Sequence, residues 1–398
     1  MPPPLSRSGV RLAEVEEVEL TIEKLVDGGD GLGRFEGIPL FIARSAPGDR
    51  LRVRLVERHP DYGRAEIVEI LSPGERRREA PCPHFARCGG CDLQHIEDDA
   101  QVRFKAEAVL ETLARIAGIK AAPTALRIVR GDPWAYRLRA QLHVDQAAGA
   151  TRVGYHARGS NALVPVGVCP VLFQPLEDLV KALPAALPAG APSRIDLAAG
   201  EDGNLSVSPL VEGLPRGEVA FHAGGFAYSF DARCFFQAHR GLLDELLEVA
   251  VGEERGETAF DLFSGVGLFT LPLAARYTNV VGVESEASAV RFARTNARRN
   301  RVTNAEFVQK GVEAWIRELP PGVDRVLADP PRGGLSTVVR RIILDRRPRR
   351  LTYVSCHAAA LARDLRDLLQ GYTLTSLALV DLFPQTGHME SIVQLEAK

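Results

Sequence analysis

The chain has 398 residues, more than a single hydrophobic core usually organises, so two or three domains are expected. Hydrophobic residues make up 45% and charged residues 25% of the sequence, as in soluble globular proteins, and no apolar run reaches the roughly 18 residues of a membrane-spanning helix. The net charge of −2 argues mildly against a nucleic-acid-binding protein, because such proteins often carry a basic excess.

The predicted location of the protein follows from its first residues and its cysteines. The stretch "MPPPLSRSGVRLAEVEE" contains no apolar segment of the kind found in secretory signals. Six cysteines are too few for a disulfide scaffold in a chain of this length. Both features predict a cytoplasmic protein, in which thiols stay reduced and clustered cysteines suggest metal binding or catalysis.

Residues 10–72 alternate polar and apolar side chains with a period of two, which is typical of half-buried strands. The apolar positions are Val18, Leu20 and Ile22 in "VELTIEKL", and Leu51, Val53 and Leu55 in "RLRVRLVER". The turn signals "DGGDGLG" and "PDYGR" separate such runs. Several short strands in this length predict a small β-barrel of the oligonucleotide-binding type. A generic β-domain with another role is the alternative.

Three cysteines cluster in "PCPHFARCGGCDLQH", at positions 82, 88 and 91. A tetrahedral metal site or an iron–sulfur cluster usually takes four protein ligands, so a fourth is expected from elsewhere in the chain. The C-x5-C-x2-C spacing does not distinguish zinc from an iron–sulfur cluster. It lacks the C-x3-C-x2-C loop of radical S-adenosylmethionine enzymes.

A mixed α and β region follows the cysteines. Residues 98–117 predict a helix, because their apolar residues recur on one face and Gly118 supplies an end signal. Residues 133–235 predict mostly strands, and the Ala/Pro-rich segment 182–193 predicts a loop or short linker. A second helix is predicted at about 238–251.

From residue 258 onward, short apolar strands alternate with helices, which predicts a doubly wound parallel sheet. Its first strand leads into the glycine loop of "FDLFSGVGLF", where Gly265 and Gly267 let the backbone approach a ligand. A dinucleotide fingerprint would place a third glycine at Thr270. Glu284 ends the second strand and is suited to accept hydrogen bonds from both ribose hydroxyls of an adenosine. This combination favours S-adenosylmethionine, which has no phosphates, over a dinucleotide.

Two further strand ends carry candidate catalytic residues. Asp329 ends the fourth strand in "LADPPRGGL", and Arg332 occupies the position at which exocyclic-amine methyltransferases often have an aromatic residue. Cys356 ends the fifth strand beside a helix N-terminus, a position expected to lower a thiol pKa and create a nucleophile. Glu390 begins the last strand. Taken alone, Cys356 could be a buried core residue and Glu390 a surface residue.

Together, a cysteine and a carboxylate at a methyl-donor site match the chemistry of methylating C5 of a pyrimidine. That carbon has no free lone pair, so a thiolate must first add to C6 and make C5 nucleophilic. A base must later remove the C5 proton, so that the thiolate can leave.

Two arginine-rich stretches, at 290–301 and 339–350, could contact phosphate through their guanidinium groups. The alternative, favoured for each stretch on its own, is a solvated helix face or pairing between domains.

These motifs together resemble those of the class I RNA uracil-C5 methyltransferases, particularly the 23S ribosomal RNA branch with an N-terminal TRAM domain and a [4Fe–4S] cluster. The resemblance covers nearly the whole chain. It rests on "GGDGLGR", "FIARSAPGDRLRVR", "CPHFARCGGCDLQH", "CFFQ", "DLFSGVGLF", "ADPPRGGL", "YVSCHAAALARDL" and "HMES". It implies a multidomain α/β protein with a TRAM barrel at 10–72, a central α+β domain with the cluster at 73–250, and a Rossmann-like S-adenosylmethionine-dependent catalytic domain at 251–398.

The resemblance also implies roles for individual residues. Cys356 becomes the nucleophile and Glu390 the base that removes the C5 proton. Contacts to S-adenosylmethionine are implied for Gln237, Phe263, Glu284 and Asp329. The [4Fe–4S] ligands are implied to be Cys82, Cys88, Cys91 and, from "VPVGVCPVL", the distant Cys169. The sixth cysteine, Cys234, matches no role and is interpreted as a core residue. The chain departs from the family pattern at Leu268, His357 and His239.

The resulting prediction is an RNA uracil-C5 methyltransferase that acts on 23S ribosomal RNA, is cytoplasmic, has no membrane partner and is a monomer. It would flip its target base out of folded RNA, with the barrel and central domain holding the flanking nucleotides. One alternative is the same chemistry on a tRNA uridine. Another, from a different class, is a non-catalytic iron–sulfur RNA-binding protein.

Overall fold

The computed structural model describes residues 17–119 and 126–398, and the predicted start of the first domain at residues 10–16 lies outside them. The first part is a closed five-stranded barrel in the order β1-β2-β3-β5-β4. Its core consists of the alternate apolar residues of these strands, such as Val18, Leu20 and Ile22. The barrel predicted from the period of two is therefore confirmed. Its strands are β1 (Glu17–Leu25), β2 (Gly31–Phe35), β3 (Ile38–Ile42), β4 (Arg50–Arg58) and β5 (Gly63–Ser72).

The second part begins with helix α1 (Asp98–Ala117), which has the predicted bounds and ends at Gly118 in the left-handed conformation. Strand β6 (Leu126–Val129) follows. A five-stranded sheet in the order β11-β10-β7-β8-β9 and a hairpin of β12 and β13 form the centre. The elements after β6 are β7 (Arg139–Asp145), β8 (Arg152–His156), β9 (Leu163–Pro165), α2 (Gln174–Ala186), β10 (Arg194–Ala199), β11 (Leu205–Ser208), β12 (Val219–Ala223), β13 (Phe226–Phe230) and α3 (Leu243–Val251).

Two predictions for this region are wrong in their bounds. Helix α2 occupies part of the segment predicted as a loop, because Leu176, Val180 and Leu183 are buried on one face. Their burial outweighs the helix-breaking tendency of Pro184 in the last turn. Helix α3 begins later than predicted, because the residues before it pair with the central chain: the Ala238 carbonyl accepts from the Leu138 N–H at 2.8 Å.

The last part is an eight-stranded sheet in the order β16-β15-β14-β17-β18-β20-β19-β6, with β14 to β18 parallel, as predicted. Strand β20 runs antiparallel to both of its neighbours. The chain order reverses between β14 and β17, where open α/β sheets bind ligands at the carboxyl ends of their strands. The elements are β14 (Gly256–Leu262), α4 (Thr270–Ala274), β15 (Tyr277–Glu284), α5 (Ala287–Arg299), β16 (Ala305–Gln309), α6 (Val312–Trp315), β17 (Arg325–Ala328), α7 (Thr337–Arg346), β18 (Arg350–Ser355), α8 (Ala358–Leu368), β19 (Tyr372–Val380) and β20 (Glu390–Ala397).

The central and last parts are joined by shared elements. Strand β6 pairs in parallel with β19, and residues of α1 share a hydrophobic core with α8. A division at 250/251 therefore assigns α1 and β6 to the central part by their place in the sequence, although β6 belongs to the last sheet and α1 packs against its helix α8. The boundaries 73–250 and 251–398 stay a prediction.

The two arginine-rich stretches are used largely for pairing within the protein, which is the interpretation favoured from the sequence. In the first, the Arg294 guanidinium donates to the Phe307 carbonyl at 2.7 Å. Arg291 lies 3.5 Å from Glu218 on the segment before β12. In the second, Arg340 forms a buried ion pair with Asp364 at 2.8 Å.

Candidate active site and cysteine-lined cavity

A pocket lies at the carboxyl edge of β14 and β17, where the sheet order reverses. Gln237, Phe263 and Asp329 line it together with the glycine loop. Phe263 has a φ of 66° and Gly267 a φ of 91°, so the chain turns sharply at the end of β14. The Gln237 amide lies 3.5 Å from the Asp329 carboxylate. Three of the four residues predicted to contact S-adenosylmethionine thus share one pocket.

The fourth, Glu284, ends β15 and contacts the glycine loop rather than lining the pocket itself. One of its carboxylate oxygens accepts from the Gly265 N–H at 3.0 Å, and the other accepts from the Glu286 N–H at 2.8 Å. These bonds fix the carboxylate next to the glycine loop. The geometry suits a carboxylate that accepts hydrogen bonds from hydroxyl groups of a ligand in the loop.

Two polar residues of the pocket region were missed from the sequence. Asp261 is fully buried; one carboxylate oxygen accepts from the Thr270 hydroxyl at 2.5 Å, and the other has no partner among the described residues. The hydroxyl oxygen of Ser264 and the amide oxygen of Gln237 also lack partners there. Buried polar atoms normally pair, so these three are candidates for contacts with a polar ligand. The signal available in the sequence was the acidic residue before the glycine loop.

The pocket is strongly acidic. Burial, and then the charges of Asp329 and Glu284, raise the pKa of Asp261 to about 8. Burial also raises the pKa of Asp329 to about 7. Several carboxylates held close together favour a cationic ligand, because a positive charge relieves their mutual repulsion.

Cys356 and Glu390 are brought together by strand pairing. Ser355 of β18 lies opposite Ser391 of β20 in the antiparallel register, so the residues that follow and precede them face each other at the sheet edge. Glu390 is only 3% exposed. Burial and the charge of Asp329 raise the pKa of the Glu390 carboxyl well above its ordinary value.

The prediction of a lowered thiol pKa at Cys356 is wrong for the protein without bound ligands. Burial raises the pKa of Cys356 to about 12, and the charges of Glu390 and Asp329 act in the same direction. Arg332 opposes them. The sequence correctly predicted that Cys356 lies beside a helix N-terminus. It could not predict the neighbouring carboxylates, because they come from distant strands.

The three departures from the family pattern have identifiable surroundings. His357 is the N-cap residue of α8, and its ring nitrogen accepts from the Ala360 N–H at 3.3 Å. His239 stacks on Tyr136 with ring centroids 4.8 Å apart. Leu268 is buried and lines the pocket beside the glycine loop. Cys234 is 2% exposed, in agreement with a core role.

All four cysteines predicted as cluster ligands line a second cavity, between the segment after the barrel and the central sheet. Its other walls include the apolar side chains of Phe85, Tyr155 and Val171. Burial raises the pKa of Cys91 to about 12 and that of Cys169 to about 11. Cys82 and Cys88 come from the first segment and Cys169 from the loop between β9 and α2, so the cavity joins two distant parts of the chain.

The distance between thiol ligands differs between a site for one metal ion and a site for an iron–sulfur cluster. Within residues 17–119 and 126–398, no three His, Cys, Asp or Glu side chains lie close enough to hold a metal ion. Thiolates around one tetrahedral zinc ion would be about 3.8 Å apart at the usual bond length of about 2.3 Å. A four-iron cluster has its own core of iron and sulfide, so its ligands stand farther apart than those of one ion. Four thiols that line one cavity are the type of donor that iron–sulfur clusters take.

No helix in the described part of the chain combines the length and apolar character needed to cross a membrane.

Comparison with known proteins gives consistent results along the chain. Sequence models match for the TRAM domain at residues 11–68, the TRM5/TYW2 methyltransferase domain at 223–331 and the tRNA (Uracil-5-)-methyltransferase family at 322–398. The chain is 34% identical to a 23S rRNA (uracil(1939)-C(5))-methyltransferase RlmD of Pectobacterium atrosepticum, over 95% of this chain and 93% of that protein. It is 33% identical to the protein of the same name from Vibrio parahaemolyticus, over 94% of this chain and 95% of that protein.

A solved structure also resembles the whole chain. It is the Pyrococcus abyssi tRNA (uracil-54, C5)-methyltransferase in complex with S-adenosyl-L-homocysteine, which superposes with a TM-score of 0.73 over 95% of this chain and 100% of that one. The sequence identity is 24%, so this likeness concerns the fold.

Proposed function

This chain belongs to the family of S-adenosylmethionine-dependent RNA uracil-C5 methyltransferases, and we propose that it methylates C5 of a uridine in 23S ribosomal RNA through a covalent adduct with Cys356. The observation that carries the proposal is the pairing of β18 with β20, which brings Cys356 to Glu390 beside the acidic pocket. The relatives' names specify uracil 1939, and we propose the corresponding uridine as the target.

The first step assigned to this chain is nucleophilic attack. The Cys356 thiolate forms a bond to C6 of uracil, and the electrons of the C5–C6 double bond move toward C5 and the O4 carbonyl. S-adenosylmethionine, when bound, supplies the electrophilic methyl group to C5. Because the pKa of Cys356 is raised in the chain, the thiol must transfer its proton to water in the complex before attack. A cationic ligand beside Asp329 would offset the carboxylates that disfavour the thiolate.

The second step assigned to this chain is proton removal. Glu390 takes the proton from C5, the electrons of that C–H bond re-form the C5–C6 double bond, and the Cys356 sulfur leaves as a thiolate. The carboxylate must be ionised for this, and its raised pKa makes it a strong base once it is. Attack and proton removal thus use residues on two neighbouring strands that approach the base from one sheet edge.

We further propose that Gln237, Phe263, Glu284 and Asp329 contact S-adenosylmethionine, with the unpartnered oxygens of Asp261 and Ser264 as additional polar contacts. S-adenosylmethionine carries a sulfonium and an ammonium group, and these two positive charges suit a pocket rich in carboxyl groups. The hydroxyls of its ribose would donate hydrogen bonds to the Glu284 carboxylate. The proposal is supported by the pocket that Gln237, Phe263 and Asp329 share, and by the contact of Glu284 with the glycine loop. The match of this region to methyltransferase families also supports it.

We also propose that Cys82, Cys88, Cys91 and Cys169 hold a [4Fe–4S] cluster. Such a cluster, when bound, links distant segments through iron–thiolate bonds. Here it would fasten the segment after the barrel to the loop between β9 and α2. The cavity that all four cysteines line is the support for this assignment.

RNA is the proposed partner of the barrel and the central sheet, and the uridine must leave its stack to reach Cys356. The sharpest test is to map 5-methyluridine in total RNA from a strain that lacks the gene and from the same strain carrying a plasmid copy. The proposal expects one position in 23S rRNA to lose and regain the methyl group. Loss in tRNA instead would establish the alternative substrate, and unchanged RNA would favour a non-catalytic protein.

A further inference from the structure

The loop between β19 and β20, residues 381–389 and here called the base loop, ends directly at Glu390. Glu390 is the first residue of β20, so its carboxyl is placed by the strand on one side and by this loop on the other. Seven of the nine loop residues are buried, with Phe383 and His388 partly exposed. Several polar contacts to the loop come from outside the eight-stranded sheet.

Helix α1 holds both ends of the base loop with one side chain. The Lys105 ammonium donates to the Asp381 carboxylate at 2.5 Å, to the Phe383 carbonyl at 3.2 Å and to the His388 carbonyl at 3.0 Å. The side chains of this ion pair are 2% and 4% exposed. A buried cation without these acceptors would be costly, so the three bonds fix the two ends of the loop relative to each other.

The cysteine-containing segment holds the middle of the base loop. The backbone N–H groups of Asp92 and Leu93, the two residues after Cys91, donate to the Gln385 carbonyl at 2.8 and 3.0 Å. In return, the Gly387 N–H donates to the Asp92 carboxylate at 3.1 Å. The other carboxylate oxygen of Asp92 pairs with Arg158, which lies in the turn after β8.

The barrel touches the same loop. Arg158 also donates to Asp30 of the barrel at 2.6 Å. The Gly28–Gly29 turn packs so closely on the base loop that a Cβ at Gly387 would lie 2.2 Å from the Gly28 carbonyl carbon. The barrel, the cysteine-containing segment and α1 therefore all meet at the loop that leads into Glu390.

We infer that Lys105 and Asp92 are positioning residues for Glu390, and that through Asp92 the order of the cysteine-containing segment sets the position of the catalytic base. This rests on the proposed role of Glu390. Cys356 is reached from β18 and α8, and none of the bonds made by Lys105 or Asp92 goes to those elements. Loosening the base loop should therefore slow removal of the C5 proton more than attack at C6.

The test follows the fate of the covalent adduct in Lys105→Met and Asp92→Ala. Displacing a catalytic group by about 1 Å can slow its step by about 100-fold. Both variants should accumulate a methylated protein–RNA adduct, as Glu390→Gln should, while S-adenosylmethionine affinity stays unchanged. Adduct is measured by denaturing electrophoresis with labelled RNA and a labelled methyl donor. Asp92 has an 18% exposed side chain, so its variant carries the test if Lys105→Met yields no folded protein.

Matched control variants exist at the opposite edge of the sheet. Arg325 is a buried cation that donates to the carbonyls of Ala250 and Val251, and Asp324 accepts two backbone N–H groups and pairs with an arginine. Arg325→Met and Asp324→Ala should not accumulate adduct, although they remove equivalent interactions. Hydrogen exchange of the 384–389 amides gives a readout independent of activity, and it should quicken in Lys105→Met and Asp92→Ala alone.

The outcomes separate this inference from the proposed function. If Glu390→Gln accumulates adduct and neither Lys105→Met nor Asp92→Ala does, or if the controls accumulate as much, the positioning role is wrong and the proposed function stands. If Glu390→Gln itself accumulates none, the base assignment fails first. Iron content, measured in each preparation, shows whether Asp92→Ala acts without loss of a cluster. The expected result is an unchanged iron content with raised adduct. Adduct that rises only when iron is lost would overturn the direct role of Asp92.

Discussion

Ser355 and Ser391 face each other across β18 and β20, and this single register places Cys356 beside Glu390. The two strands run antiparallel, so the end of one meets the beginning of the other at the ligand-binding edge of the sheet. A shift of one residue would turn the Glu390 side chain to the other face of the sheet. The proposed chemistry therefore depends on a strand order that puts β20 directly next to β18 rather than at the sheet's end.

The ribose assignment of Glu284 predicts a loss of cofactor affinity. Glu284→Ala should weaken S-adenosylmethionine binding by about 1.5–3 kcal/mol, the range for hydrogen bonds to a charged group. Titration calorimetry measures the effect, and RNA affinity should change little. Glu306→Ala, an exposed glutamate on the adjacent strand β16, is the matched control. Unchanged cofactor affinity in the Glu284 variant would reject the assignment.

The cysteine cavity predicts the metal content of the protein. Protein purified without oxygen should be brown and contain about four irons per chain. Cys169→Ser should lose the cluster as completely as Cys88→Ser, because both line the same cavity. Cys234→Ser is the control and should keep its iron, since Cys234 is a core residue elsewhere. Stoichiometric zinc without visible absorbance, or full iron in Cys169→Ser, would contradict the ligand set.

The electrostatics of Cys356 predict its reactivity as a function of pH. Because burial and two carboxylates raise its pKa to about 12, the thiolate fraction is small at neutral pH and should rise about tenfold per pH unit up to that pKa. Alkylation by iodoacetamide, followed by mass spectrometry of the peptide with Cys356, measures this rise. Asp329→Asn should lower the apparent pKa and Arg332→Gln should raise it. An apparent pKa below that of a free thiol, about 8.5, would refute the description.

Local patterns were sufficient to predict most of the secondary structure. The period-two strands of the barrel, the helix ended by Gly118 and the alternation that builds the parallel sheet are all encoded within short stretches. The loop predicted at 182–193 was wrong because the apolar residues that bury α2 lie mostly before the proline-rich stretch. The spacing of Leu176, Val180 and Leu183 is itself a helix signal, which the proline-rich composition of 182–193 outweighed in the prediction.

The site was predicted as a set of residues but not as an electrostatic unit. Strand ends and motifs identified Cys356, Glu390 and the pocket residues, because the carboxyl ends of parallel strands meet at one edge. The raised pKa of Cys356 arises from carboxylates 27 and 34 positions away in the chain, at Asp329 and Glu390. The contacts of Lys105 and Asp92 with the base loop likewise join residues nearly three hundred positions apart. Such interactions depend on the folded arrangement and have no sequence signature.

A fluorinated substrate offers a check on proton removal without mutation. RNA containing 5-fluorouracil should trap the unmutated protein as a stable adduct, because fluorine at C5 cannot be removed as a proton. Denaturing electrophoresis should show a shifted band. The band should carry the methyl group only when S-adenosylmethionine is present. Cys356→Ala should give no such band. A trapped band in Cys356→Ala would mean that another residue attacks the base.

The most direct test of the account compares Cys356→Ala with Glu390→Gln on labelled 23S rRNA fragments and a labelled methyl donor, under denaturing electrophoresis. Cys356→Ala should form neither product nor adduct, since nothing attacks C6. Glu390→Gln should accumulate an adduct that carries the methyl group and survives denaturation, since attack and methyl transfer proceed while the C5 proton stays in place. Normal turnover by Glu390→Gln, or an adduct in Cys356→Ala, would contradict the assigned roles.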